Sequence, residues 1–276
     1  MGEPLEFRPL SEHTGAEVLG FDFEAPPDAA RTRSWHEALD SYQLLLFRGV
    51  SIDAEEQVAL VETLGPALIE NDIGRAYQFV SNVHEEGILG DERFAFHSDH
   101  AFMPDPIEVI SLYGLEIPDS GSCTRFANGL AAARALPEQL LARCKDRRAR
   151  HIIDPAAESG VIPVRGPRLS DALPHAYHPI LMPHVRTGEP VLYLCEQQTD
   201  LVEGLEDSES RDLIEALFAH LYSPRFAYRH AWQPGDLIVW DNRALQHARD
   251  AVAPGTRRTL RRVSVGGTSV YEYFAA

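Results

Sequence analysis

The tetrapeptide His97-Ser98-Asp99-His100 places two imidazoles and one carboxylate within four consecutive positions. Such side chains bind transition metals and also act as acids and bases in catalysis. In an extended strand residues i and i+2 face the same side, so we expect His97 and Asp99 to project together while Ser98 and His100 point away. One imidazole and one carboxylate supply two of the three ligands of a 2-His-1-carboxylate triad, which leaves open positions on Fe(II).

A third ligand has to come from a distant strand that faces the same cavity. His247 follows the apolar stretch 236–240 and is the candidate. Farther along the chain, Arg258 and Arg262 are four residues apart, so in a strand they share one face. A buried guanidinium is costly unless it meets an anion, and a carboxylate matches its geometry. A dicarboxylate that chelates iron at one end and binds arginine at the other fits this geometry.

Short elements have to position these residues. Apolar residues recur at helical spacing in four segments, at 30–39, 53–65, 129–146 and 208–223. Asp53 and Glu56 form a capping-box-like pattern at the start of the second segment, and Pro137 marks a break in the third. Strands are predicted at 42–50, 107–117, 189–195, on both sides of Pro234-Gly235, and at 257–267. Many short strands with a few helices indicate a β-rich α+β fold in which helices flank a jelly-roll core.

Residues 150–190 differ from the rest of the chain. They are rich in Pro, Gly and small polar residues, and their hydrophobic periodicity is weak. Long irregular segments in a compact domain are usually functional lids or disordered. We therefore predict a loop or lid in this region.

Composition excludes several classes of protein. Of the 276 residues, 44% are hydrophobic and 24% are charged, which is an ordinary globular balance. No apolar stretch approaches the roughly 20 residues that a membrane helix needs, and we see no secretory signal, so we expect a cytoplasmic protein without a membrane partner. A net charge of −17 argues against nucleic acid as a partner, although a local arginine cluster still permits a small anionic ligand. The three cysteines form no CxxC pair and fit a reducing compartment.

These residues and the segments around them resemble the Fe(II)/2-oxoglutarate-dependent dioxygenases of the taurine dioxygenase and 2,4-dichlorophenoxyacetate dioxygenase type. The resemblance covers nearly the whole chain and rests on LLLFRGV, HSDHAFMPDP, IPDSGSCTRF, RTGEPVLYL, WQPGDLIVWDNRALQH and the terminal arginines. The chain departs from the family at Phe96, where Trp is frequent, and at GSCT, where GGDT is common.

The resemblance implies a single domain over residues 1–276, with a double-stranded β-helix (jelly-roll) core and a variable loop or lid insertion around 150–190. It implies that Fe(II) is held by His97, Asp99 and His247. It also implies that 2-oxoglutarate is bound by Thr124, Arg258 and Arg262.

The implied reaction uses 2-oxoglutarate and O2 as cosubstrates, oxidises a C–H bond of a small organic molecule, and releases succinate and CO2. Because Asp99 is a carboxylate, where related halogenases have Gly or Ala, hydroxylation is favoured over chlorination. The family commonly forms dimers or tetramers, so a homodimer and a homotetramer are the candidate assemblies.

The substrate is not identified by the sequence, because the family accepts sulfonates, aryloxy acids, amino acids and natural-product intermediates. Arg262 favours a substrate with an acidic group. The candidate substrate contacts in the region 66–93 are Asn71, Tyr77 and Arg93.

Two other classes of protein compete with this interpretation. A zinc hydrolase also uses His, Asp and His ligands, but it needs neither Arg258 nor Arg262 at strand spacing. A non-catalytic jelly-roll binding protein is the other alternative, and the complete set of three ligands argues against it.

Overall fold

Short strands and a few helices make up the part of the chain that this computed structural model describes, residues 5–23, 29–119, 121–154, 168–253 and 255–275. The helices are α1 (Ala29–Tyr42), α2 (Ala54–Glu62), α3 (Gly129–Arg134), α4 (Glu138–Cys144), α5 (Asp207–Leu221) and α6 (Val270–Ala275). The strands are β1 (Glu6–Pro9), β2 (Ala16–Leu19), β3 (Leu44–Phe47), β4 (Gln78–Ser81), β5 (Gly87–Ile88), β6 (Phe94–His97), β7 (Val109–Glu116), β8 (Cys123–Asn128), β9 (Arg148–Ile152), β10 (His175–Pro179), β11 (Leu181–Pro183), β12 (Pro190–Leu192), β13 (Thr199–Val202), β14 (Ala227–Ala231), β15 (Leu237–Asp241), β16 (Leu245–Arg249) and β17 (Thr259–Val265).

Two sheets carry the candidate site. The large sheet has eight strands in the order β1-β2-β3-β15-β7-β17-β4-β5, and the small sheet has four in the order β14-β8-β16-β6. Phe126 and Leu245 of the small sheet pack in one core cluster with Ile110, Trp240 and Leu260 of the large sheet. The two sheets therefore face each other across this cluster, and the predicted β-rich jelly-roll fold with flanking helices is confirmed.

Alternation along the central strands explains why the large sheet is buried on both faces. In β15, Ile238 and Trp240 point to the core between the sheets, whereas Leu237 and Val239 join the cluster that includes Trp35 of α1. Successive strand residues point to opposite faces, so a continuous apolar run is what a doubly covered strand requires.

The predicted helices are present. The Asp53 side chain accepts from Glu56 N and the Glu56 side chain accepts from Asp53 N, so the capping box forms at α2. Pro137 separates α3 from α4, as its missing N–H predicts. None of the described helices is both long and apolar enough to cross a membrane.

The prediction of an irregular segment at 150–190 is wrong for part of it, because β9, β10, β11 and β12 form within it or at its edges. The apolar periodicity is weak there because buried positions carry polar side chains. Arg150 and His151 are 0% exposed, and His178 is 6% exposed. Arg150 forms an ion pair with Asp200, which offsets the free-energy cost of burying its charge. Residues 155–167 lie outside the described residues.

Candidate active site

His97 and His247 face each other across an antiparallel strand pair. β16 pairs with β6, and in that register His247 lies directly opposite His97. The ring centroids are 4.1 Å apart. His97 Nδ1 lies 2.8 Å from Ala95 O, which fixes the ring and leaves Nε2 toward the cavity. Cross-strand pairing therefore brings together two ligands that are 150 positions apart in the sequence.

Asp99 also lies beside the two histidines, but it is not on the strand as the strand periodicity predicted. β6 ends at His97, and Asp99 lies in the turn that follows. Asn242 holds this turn, since its Oδ1 accepts from Asp99 N at 3.0 Å and its Nδ2 donates to Asp99 O at 3.0 Å. Asp99 Oδ1 lies 3.2 Å from His97 Nε2 and 3.8 Å from His247 Nε2.

These three side chains fit a metal ion. Each offers one ligand atom, all within 4.8 Å of one another, and they are the only such group of His, Cys, Asp or Glu among the described residues. Burial, and then the positive charge that His97 would carry, lower the pKa of His247 to about 3, so its imidazole is neutral at physiological pH and available as a ligand. His247 Nδ1 is buried without a hydrogen-bond partner among the described residues.

Arg262 binds the carboxylate of Asp99. Its Nη2 donates to Asp99 Oδ2 at 2.9 Å, and its Nη1 donates to Glu70 Oε2 at 2.9 Å and to Gln78 Oε1 at 3.1 Å. Burial alone raises the pKa of Asp99, but Arg262 and the two imidazoles outweigh that effect and hold the pKa well below its usual value. Arg262 thus keeps Asp99 ionised and holds one carboxylate oxygen, which leaves the other for a metal.

Arg258 is a different kind of arginine. It is 3% exposed, its Nε donates to Ser122 Oγ at 3.0 Å, and it forms no ion pair with a carboxylate of the described residues. Burial, and then the nearby Arg249, lower the pKa of Arg258 to about 9, which still leaves it charged at neutral pH. A buried cation without a counterion is costly, so the geometry calls for an anionic ligand.

The inner cavity connects the metal group with Arg258. It is lined by Val80, Leu89, Phe94, His97, Asp99, Leu112, Thr124, Trp240, His247, Arg249, Arg258 and Arg262. Thr124 Oγ1 accepts from Trp232 Nε1 at 2.9 Å, which orients the hydroxyl in the cavity wall.

Arg249 also lines the inner cavity, and the sequence reasoning missed it. One of its terminal nitrogens donates to three backbone carbonyls, those of Leu89, Gly90 and Glu92, at 2.6 to 3.0 Å. It therefore fastens the segment after β5 over the cavity. The signal was available, because Arg249 follows His247 by two residues, the same spacing that pointed from His97 to Asp99.

The outer pocket adjoins the inner cavity at the metal group. It is lined by Glu70, Gln78, Ile88, Leu89, Phe94, His97, Asp99, His100, Phe102, Gln197, Gln198, Arg262 and Val270. Strand periodicity predicted that His100 points away from the site. His100 is nevertheless in this lining, because it lies in a turn with φ +61°. No sequence pattern pointed to Glu70, Gln197 or Gln198.

The structure does not bring the predicted substrate contacts Asn71, Tyr77 and Arg93 to either of these cavities. The Asn71 amide donates to the backbone of Arg75 and Tyr77 and so closes a local loop. Tyr77 packs against the core cluster beneath the large sheet. The Arg93 side chain is 57% exposed and lies 3.9 Å from Glu196.

Comparison with known proteins identifies the family of the chain. A sequence model described as taurine catabolism dioxygenase TauD, TfdA family, matches residues 6–264. The chain belongs to this family. Pentalenolactone F synthase of Streptomyces arenae is 30% identical, with 94% of this chain and 93% of that protein covered. The alpha-ketoglutarate-dependent 2,4-dichlorophenoxyacetate dioxygenase of Cupriavidus pinatubonensis is 29% identical, with 93% and 96% covered.

A solved structure agrees with the fold of this TauD/TfdA protein. AAD-2 in complex with Mn(II) and N-oxalylglycine superposes with a TM-score of 0.81 at 26% identity, and 97% of this chain and 99% of that chain are covered. The recognition of the family and the jelly-roll fold is therefore confirmed. The chain is a 2-oxoglutarate-dependent dioxygenase that uses a metal and acts on a small organic molecule.

Proposed function

We propose that the metal is Fe(II), held by His97, Asp99 and His247, and that this dioxygenase hydroxylates its substrate. The observation that carries the proposal is the meeting of two imidazoles and one carboxylate within 4.8 Å beside a buried arginine without a counterion. Two histidines and one carboxylate on one side of a metal suit non-haem Fe(II) and leave positions for other ligands. When bound, Fe(II) with O2 supplies the oxidising chemistry that is coupled to decarboxylation of 2-oxoglutarate.

Arg258 and Thr124 bind the distal carboxylate of 2-oxoglutarate in this proposal. Arg258 provides the charge, and the Thr124 hydroxyl can add a hydrogen bond from β8 of the small sheet. Both line the inner cavity with the metal group, so a dicarboxylate can reach from one to the other. The prediction that Arg262 contacts 2-oxoglutarate stays a prediction, and its existing bonds to Asp99 and Glu70 favour a role in orienting Asp99 instead.

The apolar side chains of the inner cavity exclude water from the reacting groups. Val80, Leu112 and Trp240 are buried between the sheets, and Arg249 fastens the chain near Leu89 over the opening. A dry site strengthens the ion pair between Arg258 and a carboxylate, and it protects reactive species from side reactions.

Anaerobic titration of the metal-free protein tests this proposal. Fe(II) and 2-oxoglutarate together should produce a visible absorption band that neither produces alone, and admission of air should yield succinate. His97→Ala should abolish both signals, whereas His36→Ala, on α1 far from the triad in the sequence, should preserve them. Tight zinc binding without any succinate would instead support a zinc hydrolase and contradict the proposal.

A further inference from the structure

Arg262 brings no free positive charge to the outer pocket. Its two terminal nitrogens donate to Asp99 and Glu70, each at 2.9 Å, and Glu70 is only 6% exposed. Arg262 is also the only arginine or lysine in the described lining of this pocket. His100 of the same lining already lies near Glu70, with its Nε2 3.6 Å from Glu70 Oε1. A carboxylate or sulfonate that entered the pocket would therefore lie near the Glu70 carboxylate without a cation of its own, which is costly in a buried site.

Two glutamines in the same lining have unused acceptors. The Oε1 atoms of Gln197 and Gln198 are buried and accept no hydrogen bond from the part of the chain that the structure describes. The Gln198 side chain belongs to a residue that is 6% exposed. Backbone hydrogen bonds fix the main-chain positions of both glutamines, since Gln197 N donates to Phe96 O and Gln198 O accepts from Ile152 N. A buried carbonyl group without a donor is destabilising, so these oxygens call for a ligand that donates hydrogen bonds.

The rest of the pocket is suited to an apolar body. Ile88, Leu89, Phe94 and Phe102 contribute side chains to the lining. Small-molecule sites typically combine such surfaces with a few polar groups that fix orientation. Here the polar groups are Arg262 with its two carboxylate partners, the imidazoles of His97 and His100, and three side-chain amides, those of Gln78, Gln197 and Gln198.

We propose that the outer pocket selects an uncharged substrate, whose hydroxyl or amide N–H groups donate to Gln197 and Gln198 while its apolar part lies against Phe94 and Phe102. This inference rests on the proposed function, because the metal group defines which side of the site the substrate occupies. It departs from the acidic substrate that Arg262 favoured in the sequence, since Glu70 and Asp99 already neutralise Arg262.

Calorimetry on the inert complex with Mn(II) and N-oxalylglycine tests the proposal without turnover. The ligands are two matched trios: 2,4-dichlorophenoxyacetate with its carboxamide and the corresponding alcohol, and cyclohexylacetate with its carboxamide and alcohol. In at least one trio a neutral member should bind about tenfold or more tightly than the acid, and in neither trio should the acid bind more tightly. Any other pattern, including no binding by the neutral compounds, overturns the proposal.

Substitution of the glutamines assigns the preference to them. Gln198→Leu should weaken binding of the preferred neutral compound by about tenfold and leave the acid unchanged, and Gln198→Glu, which keeps acceptor oxygens, should retain the neutral compound. Gln197→Leu provides the same test if the buried Gln198→Leu fails to fold, as judged by thermal unfolding. Unchanged affinity for the neutral compound in the folded leucine variants overturns the proposal.

Failure of this inference can be told apart from failure of the proposed function. Succinate formation from 2-oxoglutarate by the Fe(II) protein without added substrate is measured on the same preparation. Normal succinate formation together with a preference for the acids overturns the substrate class alone. If neither succinate formation nor binding of N-oxalylglycine with metal occurs, the proposed function fails and this inference fails with it.

Discussion

The inner cavity and the outer pocket share the paired Arg262, but only the inner cavity also holds buried arginines without a carboxylate partner in the part of the chain that the structure describes. In the inner cavity Arg258 and Arg249 have no carboxylate partner among the described residues. In the outer pocket Arg262 is matched by both Asp99 and Glu70. A buried charge without a counterion is costly, so the unpaired arginines of the inner cavity favour binding of an anion. Arg262 already binds two carboxylates, so it does not favour an anionic ligand in the outer pocket. The position of an arginine in the sequence therefore says less about ligands than the presence of its counterion does.

The largest expected effect is on the unpaired arginine. Arg258→Ala should weaken 2-oxoglutarate binding roughly 100-fold or more, because it removes one partner of a buried charge pair. Arg257→Ala is the matched control, since Arg257 is exposed and pairs with Glu116 outside the cavity. Titration of each variant with 2-oxoglutarate in the presence of Mn(II) measures the change. Equal effects of the two substitutions would remove Arg258 from the cosubstrate site.

The turn that carries Asp99 gives the next largest effect. Asn242→Ala removes the side-chain bonds to Asp99 N, Asp99 O and Ile107 O, so metal affinity should fall about 10- to 100-fold. Asn71→Ala, which loosens only a local loop, should leave metal affinity within about twofold. Competition with a metal chelator measures both. If Asn71→Ala lowered the metal affinity as much as Asn242→Ala does, the turn held by Asn242 would not be what positions Asp99.

Glu70→Gln should make the outer pocket more similar to the inner cavity in its preference for anions. The variant removes one carboxylate from Arg262 at nearly constant shape, so binding of acidic compounds should improve about tenfold relative to the neutral members of the same trio. Calorimetry on the Mn(II) and N-oxalylglycine complex measures this ratio. An unchanged ratio would mean that Glu70 does not set the charge preference of the outer pocket.

Arg249→Met should have the smallest effect. The long apolar side chain keeps most of the packing but loses the bonds to Leu89, Gly90 and Glu92, so hydrogen exchange in 89–92 should accelerate. The Michaelis constant for 2-oxoglutarate should rise only a few-fold, since Arg258 remains. Unchanged exchange in this segment would show that Arg249 does not fasten it.

The sequence predicted the parts of this site that depend on periodicity. The two histidines meet because β6 and β16 pair in register, and Arg258 and Arg262 share a face near β17, as their spacing indicates. Asp99 lies beside the two histidines for a different reason, since a turn held by Asn242 carries it rather than the strand.

Other parts depended on contacts that local patterns do not contain. Glu70 lies 192 positions from Arg262, so nothing in the sequence showed that this arginine already has a counterion. Gln197 and Gln198 follow a buried strand without any motif, and only their burial next to the metal group makes them candidates. The segment 150–190 was misread because buried arginine and histidine interrupt its apolar pattern.

A crystal structure of the protein with Mn(II) and N-oxalylglycine tests the central contrast between the two regions most directly. It should show the metal bonded to His97, Asp99 and His247, with the distal carboxylate on Arg258 and with Arg262 still bound to Asp99 and Glu70. A distal carboxylate bound to Arg262, with Glu70 displaced and Arg258 left without an anion, would contradict it.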